Sequence, residues 1–243
     1  MNCGEIWGYE AVGLAKTQEE MDAHLATLPN GGQNTIGLDW GAGDIMYADL
    51  NGDGKIDGGA GTIDDHGDLK IIGNTTPRFN FGLDLYAYWK GFDARIFLQG
   101  TAKRDYFQNS YYFWGALHGV WWSMCLKEHE DYFRDDPDHV LGLNTDSYYP
   151  RPVWGSDRNR QVQTRYLQDA SYLRIKNLQF GYTLPHKLMS KFGVGSLRVF
   201  FTGENLATLT RMTTIFDPET IGTLKGNCYP LSKVYAFGVN VTL

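Results

Sequence analysis

The chain has 243 residues, a formal net charge of −6 and a mean hydropathy of −0.37. The negative charge excludes the basic surface that a nucleic-acid-binding protein needs, and no apolar run is long enough for a transmembrane helix. Aromatic residues make up 14% of the chain, which also has 29 glycines. This composition is typical of a β-rich protein whose strands are apolar on one face only.

Residues 1–78 are rich in glycine and aspartate, and we expect largely irregular structure there. One short helix is predicted at about 17–27, because Thr17 precedes an acidic first turn in the manner of a capping residue. The glycine pair at 31–32 predicts the end of this helix.

From residue 79 onward, apolar and polar residues alternate with a period of two, which predicts strands. Lys90-Gly91 predicts a tight turn between the first two strands. In the third strand the alternation changes phase near Asn177, which predicts a β-bulge. The five predicted strands cover 79–89, 92–99, 166–184, 196–206 and 233–243.

The predicted strands have one apolar face and one polar face. The polar face carries the charged residues Asp84, Asp93, Arg95, Arg198 and Glu204. A soluble sandwich would bury the apolar face, whereas a membrane barrel would turn it towards lipid and line a wet lumen with the charged face. Alternation alone does not separate these two interpretations.

The connections between the predicted strands are alternately short and long, as in outer-membrane barrels. If the C-terminus lies in the periplasm, every long connection falls outside the cell, together with residues 1–78. The chain stops on an alternating apolar strand, which resembles the final strand of bacterial outer-membrane proteins. The last residue is Leu243, where those proteins usually have Phe or Trp.

Several segments resemble the C-terminal part of SusC/RagA proteins in sequence, order and spacing, and together they cover most of the chain. The stretch from 166 to 185 is the most specific of them. The matching segments are GDI at 43–45, YADLNGDGKID at 47–57, IIGN at 71–74, PRF at 77–79, YLQDASYLRIKNL at 166–178, FGYTLP at 180–185 and TGENL at 202–206.

The resemblance implies a TonB-dependent importer in the cell outer membrane, with a 22-stranded barrel, an N-terminal plug and a SusD-like lipoprotein as a lid. Its cargo would be a glycan or a peptide. The first residues have neither the basic nor the apolar segment of a signal peptide, and we expect the signal peptide, the plug, the TonB-contacting segment and the first strands to lie in a missing N-terminal part. We therefore expect an all-β fragment, the C-terminal part of a transmembrane antiparallel β-barrel, which cannot transport alone. Residues 1–78 would form an extracellular loop region, and 79–243 the strands and loops of the incomplete barrel.

Oxygen-bearing side chains alternate along one stretch in the pattern of an EF-hand calcium loop. Asp49, Asn51 and Asp53 hold positions 1, 3 and 5, a glycine holds position 6, and Lys55 offers its backbone carbonyl at position 7. Asp57 holds position 9. These five residues predict a Ca²⁺ site whose role would be to rigidify an extracellular loop.

The calcium pattern is incomplete, since position 12 is Ala60 where an EF-hand has a bidentate glutamate. A replacement ligand would have to come from elsewhere, and the nearby candidates are Asp64, Asp65 and Asp68. The alternative is an Asx-rich turn without an ion, because Asp and Asn side chains also accept hydrogen bonds from nearby backbone groups.

An aromatic cluster lies between the second and third predicted strands, formed by Tyr111, Tyr112, Trp114, Trp121 and Trp122. Flat rings stack on sugars or pack against a partner protein, so these residues are predicted to contact a ligand or the lid. The alternatives are packing within the loop itself and an aromatic girdle at the membrane interface.

Two other functions compete with the transporter. A soluble, secreted β module that binds calcium and glycan predicts a closed sandwich and solubility without detergent. A secreted glycosidase would need a catalytic carboxylate pair, for which only ordinary acidic loops are available. The sequence has no GxSxG, P-loop, Rossmann or HExxH motif, and the chain is predicted not to be an enzyme.

Overall fold

A computed structural model describes residues 3–115, 125–222 and 231–243. These residues form eleven strands, three short α-helices and a few 3₁₀ turns. They divide into two compact units, each of which is described by itself. No helix in the described part of the chain is both long enough and apolar enough to cross a membrane.

The first unit comprises Met1–Thr76 and Asp105–Gln168. Its strands are short and form two-stranded sheets, and the last of these strands ends one residue beyond the unit. The pairs are β1 (Glu5–Tyr9) with β4 (Leu69–Asn74), β2 (Ala11–Leu14) with β3 (Ile45–Tyr47), and β7 (Asp105–Phe107) with β8 (Leu167–Asp169). The pairs β1–β4 and β2–β3 correct the expectation of largely irregular structure in residues 1–78. Strands this short do not alternate for long enough to give a clear signal in the sequence.

The predicted helix is present as α1 (Gln18–Ala26). The hydroxyl of Thr17 accepts a hydrogen bond from the backbone N–H of Glu20 at 3.2 Å, which confirms the predicted cap. The helix ends before the glycine pair at 31–32, because the N–H of Thr27 already turns back to the carbonyl of His24. A second, single-turn helix, α2, covers Tyr111–Trp114.

The buried carboxylate of Asp44 ties distant parts of the first unit together. It accepts hydrogen bonds from Nε of Arg151 at 2.9 Å, from Nη2 of Arg151 at 2.6 Å and from Nδ2 of Asn159 at 2.8 Å. A buried carboxylate without such donors would be strongly destabilising. These bonds therefore fix the backbone around β3 against residues more than 100 positions later in the chain.

The second unit comprises Pro77–Arg104 and Asp169–Leu243. It contains one five-stranded antiparallel sheet in the order β11-β10-β9-β6-β5. Its strands are β5 (Phe79–Trp89), β6 (Phe92–Ala102), β9 (Tyr172–Thr183), β10 (Ser196–Thr210) and β11 (Val234–Thr242). In the described residues, β5 and β11 each pair on one side only, so the sheet has two open edges.

Three details of the predicted strands are refined by the structure. The predicted strand at 166–184 is wrong as a single strand, because Ala170 and Ser171 separate β8 from β9. The predicted bulge is confirmed, since Asn177 pairs with Phe97 and Ile175 with Leu98, which leaves the residue between them without a partner on β6. The fourth strand, β10, extends four residues beyond its predicted end.

The connections follow the expected alternation. Lys90 and Gly91, with φ of 48° and 93°, form the two-residue turn between β5 and β6. At the same end of the sheet, β9 and β10 are joined by a connection that contains the short helix α3 (His186–Met189). The longer connections, β6 to β9 and β10 to β11, both leave from the opposite end.

Candidate functional site

One face of the five-stranded sheet carries apolar side chains on every strand. The strand register places Ala94, Phe180, Phe201 and Phe237 side by side across four strands. Phe237 is 83% exposed. The exposed apolar residues of this face are Phe79, Phe81, Leu83, Leu85, Trp89, Phe92, Phe180, Val199, Leu209, Tyr235, Phe237, Val239 and Val241. A continuous exposed apolar surface of this kind is rare on soluble monomers and indicates contact with lipid or a partner.

The opposite face carries paired charges. Arg95 donates from Nε to Oδ1 of Asp84 at 3.0 Å, between the neighbouring strands β6 and β5. Arg198 on β10 donates from Nε to Oδ1 of Asp93 on β6 at 2.9 Å. These four predicted polar-face residues therefore satisfy one another's charges. We call this side the polar face.

A third group of charges on the polar face had not been singled out from the sequence. Arg174 is 3% exposed and forms ion pairs with Asp217 and Glu219, and Lys176 also pairs with Glu219. Both basic residues lie on β9, where they alternate with the apolar Leu173 and Ile175. The sequence pattern therefore places them on the face opposite these apolar residues. Their acidic partners lie in a connection without periodicity, where no sequence pattern points to a contact.

The predicted calcium residues do come together in one turn, but their oxygens already accept hydrogen bonds from the backbone. Asp49 accepts from Gly52 at 2.7 Å with Oδ1 and from Gly54 at 2.8 Å with Oδ2. Asn51 accepts from the N–H of Asp53 at 2.9 Å. These are the contacts of an Asx-rich turn, and the positive φ of both glycines allows its sharp bends.

Two further predicted ligands of this loop, Asp53 and Asp57, are bridged by the ammonium of Lys55, which is itself a predicted ligand through its carbonyl. The ammonium of Lys55 is hydrogen-bonded to Oδ2 of Asp57 and lies 3.7 Å from Oδ2 of Asp53. The hydrogen bond from Lys55 holds the pKa of the Asp57 carboxyl below its ordinary value, and the N–H of Gly59 adds to the effect. Lys55 thus partly neutralises the charge that a calcium ion would otherwise balance.

Asp68, one of the three candidate replacement ligands, is fully buried beside the same loop. Its Oδ1 accepts from the N–H of Leu50 at 2.7 Å, and its Oδ2 accepts from the N–H of Asp57 at 2.9 Å. Burial raises the pKa of this carboxyl. Asp68 therefore closes the loop by joining its two ends.

The loop fits a cation only in part. It provides the turn and several carboxylates, but in this arrangement those oxygens serve the backbone and Lys55. Within residues 3–115, 125–222 and 231–243, no group of three or more His, Cys, Asp or Glu side chains is placed to hold a metal ion. Calcium binding stays a prediction.

The predicted aromatic contact residues divide into three groups. Trp114 is 1% exposed and packs against Tyr166 and Tyr149, with ring centroids 4.9 and 6.4 Å away. Its indole N–H donates to the carbonyl of Gln108 at 3.1 Å. These contacts give Trp114 a packing role within the first unit, the alternative noted from the sequence.

The remaining aromatic residues are less enclosed or not described. Tyr112 is 38% exposed and Tyr111 is half-buried, so ligand or lid contact stays a prediction for these two. Trp121 and Trp122 lie outside the described residues. Beside the buried cluster is a cavity of about 660 Å³, whose walls include Trp114, Tyr132 and Tyr149.

Comparison with known proteins gives a consistent result. The chain is 29% identical over 98% of its length to TonB-dependent receptor P3, and 26% identical over 97% to TonB-dependent receptor P26, both from Formosa agariphila. The chain resembles TonB-dependent receptors. It spans 22% of the length of each of these two receptors.

The fold agrees with this resemblance to TonB-dependent receptors. The structure of the RagAB peptide transporter matches 98% of the chain with a TM-score of 0.63 at 22% identity, and the RagAB peptide importer in its 'open-open' state matches with 0.59. The matched part is 23% of the length of the first of these chains and 22% of the second. No family model matches the chain.

These findings confirm the resemblance predicted from the sequence and the all-β fold of part of a barrel. The matched proteins are named as receptors and transporters, which agrees with the prediction that the chain is not an enzyme.

Proposed function

We propose that this chain forms part of the wall and outer loops of a TonB-dependent nutrient importer in the bacterial outer membrane. The observation that carries the proposal is the exposed apolar face of the five-stranded sheet, backed by a polar face of paired charges. In such a barrel the apolar face meets acyl chains and the polar face borders water.

The two open edges of the sheet support the same proposal. Unpaired backbone groups on β5 and β11 would be very costly in lipid. In the full-length gene product these edges pair with further strands and close a barrel. This agrees with the share of the TonB-dependent receptors that the chain matches, about a fifth of their length.

The rival soluble module places the apolar face in the interior of a sandwich. The broad exposure of this face, including Trp89 and Phe237, counts against that alternative. The rival glycosidase is not favoured by TonB-dependent receptor P3 or by RagAB, which are named as a receptor and a transporter.

The finer parts of the proposal concern cargo and partners. The cargo is a glycan or a peptide, and RagAB, which shares the fold, is named as a peptide transporter. A SusD-like lipoprotein would cover the outer opening of the barrel, and TonB would supply energy through a part of the importer other than this chain. Uptake of glycan and peptide mixtures by cells with and without TonB tests these assignments, and uptake that is unchanged without TonB contradicts them.

The lipid-facing assignment is tested by a pair of adjacent substitutions on β11. Phe237→Arg puts a charge on the apolar face, and Ala236→Arg puts the same charge on the polar face one residue away. In the full-length gene product in phospholipid vesicles, Phe237→Arg should lower the unfolding free energy by ~2–4 kcal/mol if the position lies near the bilayer midplane. Ala236→Arg should change it much less.

A separate measurement guards against a simple folding defect. The wild-type gene product should appear in the outer-membrane fraction and should require detergent for extraction. Extraction into buffer alone, or equal tolerance of arginine at both positions, would contradict the proposed membrane position and favour the soluble module.

A further inference from the structure

The apolar face of the five-stranded sheet contains an open groove of about 570 Å³ at the end from which the longer connections leave. Phe81 on β5 and Leu209 on β10 line this groove, and both side chains are exposed. Ala102 and Ser171 also line it, on and beside the two strands that lie between. We call this depression the outer groove. All of its lining residues belong to the second unit.

The strand register explains why the surface is recessed here. Phe81, Gly100, Leu173 and Leu209 lie in one row across four strands. A Cβ atom at Gly100 would collide with the ring of Phe81, so the absence of a side chain there lets the ring lie close to the sheet. Beyond this row the side chains are small, which leaves room between Phe81 and Leu209.

The outer groove lies near one end of the apolar stretch of the sheet. On β5 this stretch runs from Phe79 to Trp89, which is 11 residues. A tilted strand of about this length crosses the hydrocarbon core of a membrane. Arg78 directly precedes the stretch. In the proposed barrel, the outer groove therefore lies where acyl chains meet their headgroups.

Three exposed basic residues, Arg78, Lys103 and Arg211, lie at this end of the sheet. Arg211 lines the outer groove itself. Lys103 follows Ala102, and its carbonyl accepts a hydrogen bond from the backbone N–H of Arg78 at 3.3 Å. In the part of the chain that the structure describes, none of the three forms an ion pair within 4 Å. Asp169 also lines the groove, so three cations outnumber one carboxylate.

The basic residues within the strands are different, because each of them has an acidic partner. They are Arg95, Arg174, Lys176 and Arg198. The ion pairs of the polar face thus use none of the positive charge beside the outer groove. This charge is available to an anion that comes from outside the described residues.

We propose that the outer groove binds an anionic, phosphorylated lipid. Its acyl chain would lie between Phe81 and Leu209, and its phosphate would contact Arg211, with Lys103 and Arg78 nearby. This inference rests on the proposed function, because the groove meets lipid only if the apolar face lies in a membrane. It adds a specific lipid site to a surface that otherwise contacts acyl chains without selection.

The combination of groove and charge selects among the available ligands. A guanidinium binds phosphate oxygens through paired hydrogen bonds, so Arg211 favours an exposed phosphate. A free phosphate ion would gain nothing from the apolar sides of the groove. A zwitterionic lipid has the same acyl chains, but its own cation competes with Arg211 for the phosphate. An anionic lipid uses both the groove and the charge.

Native mass spectrometry of the full-length gene product in neutral detergent measures this binding. The probes are dilauroyl phosphatidic acid and dilauroyl phosphatidylcholine, which have the same acyl chains. Wild type should bind phosphatidic acid at least tenfold more tightly, and inorganic phosphate should not displace it. Arg211→Gln should weaken the binding of phosphatidic acid about fivefold, which is the usual contribution of one basic residue near anionic lipid. Its binding of phosphatidylcholine should not change.

Two exposed lysines provide a matched control. Lys103→Gln removes a charge beside the outer groove, and Lys191→Gln removes the same charge from the connection between β9 and β10, at the opposite end of the sheet. Only Lys103→Gln should weaken the binding of phosphatidic acid. Since the replaced side chains are exposed, both variants should keep the melting temperature of wild type, which checks that they fold.

The outcomes separate the lipid site from the proposed function. Equal effects of Lys103→Gln and Lys191→Gln, or equal binding of the two lipids by wild type, overturn the site and leave the membrane position standing. Displacement of the lipid by inorganic phosphate would mean that the groove binds a free anion, which also overturns the lipid site. If the wild-type product dissolves without detergent, the proposed function and the lipid site both fail.

Discussion

Arg198 and Asp93 form an ion pair across an intervening strand, directly over Gly181. Arg198 lies on β10, Asp93 on β6, and Gly181 on β9 between them. A Cβ atom at Gly181 would lie 2.6 Å from Nη2 of Arg198 and 2.7 Å from Oδ1 of Asp93. The absence of a side chain at this position is what allows the two charges to meet.

Replacing this glycine should therefore break the pair without touching either charged residue. In Gly181→Ala the methyl group displaces both side chains, and a charged hydrogen bond of this kind contributes ~1.5–3 kcal/mol. We expect a loss of that size in the free energy of unfolding, measured by urea titration of the full-length gene product in lipid.

The control for this prediction is Gly82→Ala, on the same polar face. Its added Cβ would lie 3.3 Å from the ring of Phe97 and 3.8 Å from the carbonyl of Leu98, and no ion pair among the described residues crosses it. In a variant that already carries Arg198→Met, adding Gly181→Ala should lower the free energy of unfolding only slightly further. A similar loss in both backgrounds would mean that the ion pair is not the reason for the glycine.

The strands of the sheet could be predicted because their alternation persists over nine or more residues and because one face is apolar throughout. The short strands of the first unit gave no such signal. Their pairing depends on partners far apart in the chain, such as β1 with β4. No residue pattern predicts the break at Ala170 and Ser171, because the residues on both sides are typical of β-strands.

The candidate site was less accessible to sequence reasoning. Arg174 pairs with Asp217 and Glu219, which lie 43 and 45 positions later in a segment without periodicity. The calcium-like spacing was visible, but not the competition of backbone N–H groups and Lys55 for the same oxygens. The sequence also does not predict which aromatic residues are buried, because Trp114 packs on rings more than 30 positions away in the chain.

Trp114 and Tyr112 should respond differently to truncation. Trp114→Ala removes the centre of a buried aromatic cluster and should cost ~3–5 kcal/mol of stability. Tyr112→Ala removes a partly exposed ring and should leave the melting temperature nearly unchanged. If Tyr112 contacts cargo or the lid, its truncation should instead weaken uptake.

Melting curves and uptake rates of the full-length gene product separate these roles. Trp114→Phe serves as the milder variant, since it keeps an aromatic ring but loses the bond to Gln108. It should melt between wild type and Trp114→Ala. Uptake lost in Trp114→Phe at unchanged stability would contradict a role in packing alone and would support the predicted contact of this residue with ligand or lid.

The calcium prediction can be made sharper through Lys55. Its ammonium now balances Asp57 and lies close to Asp53, so a calcium ion has to compete with a charge that is always present. Lys55→Gln removes this competitor and leaves the backbone carbonyl at position 7 in place. Because a ligand that binds only the folded state stabilises it more the tighter it binds, added calcium should raise the melting temperature of Lys55→Gln more than that of wild type.

The opposite change should abolish the response. Asp53→Ala removes an oxygen ligand, loosens the loop and should make melting insensitive to calcium. Hydrogen exchange in residues 49–68, with calcium and with a chelator, reports the same effect locally. Magnesium is the control ion, since it demands a tighter octahedral arrangement than this loop provides. If wild type and Lys55→Gln both melt and exchange identically with calcium and with chelator, the turn binds no calcium and is held by its own hydrogen bonds.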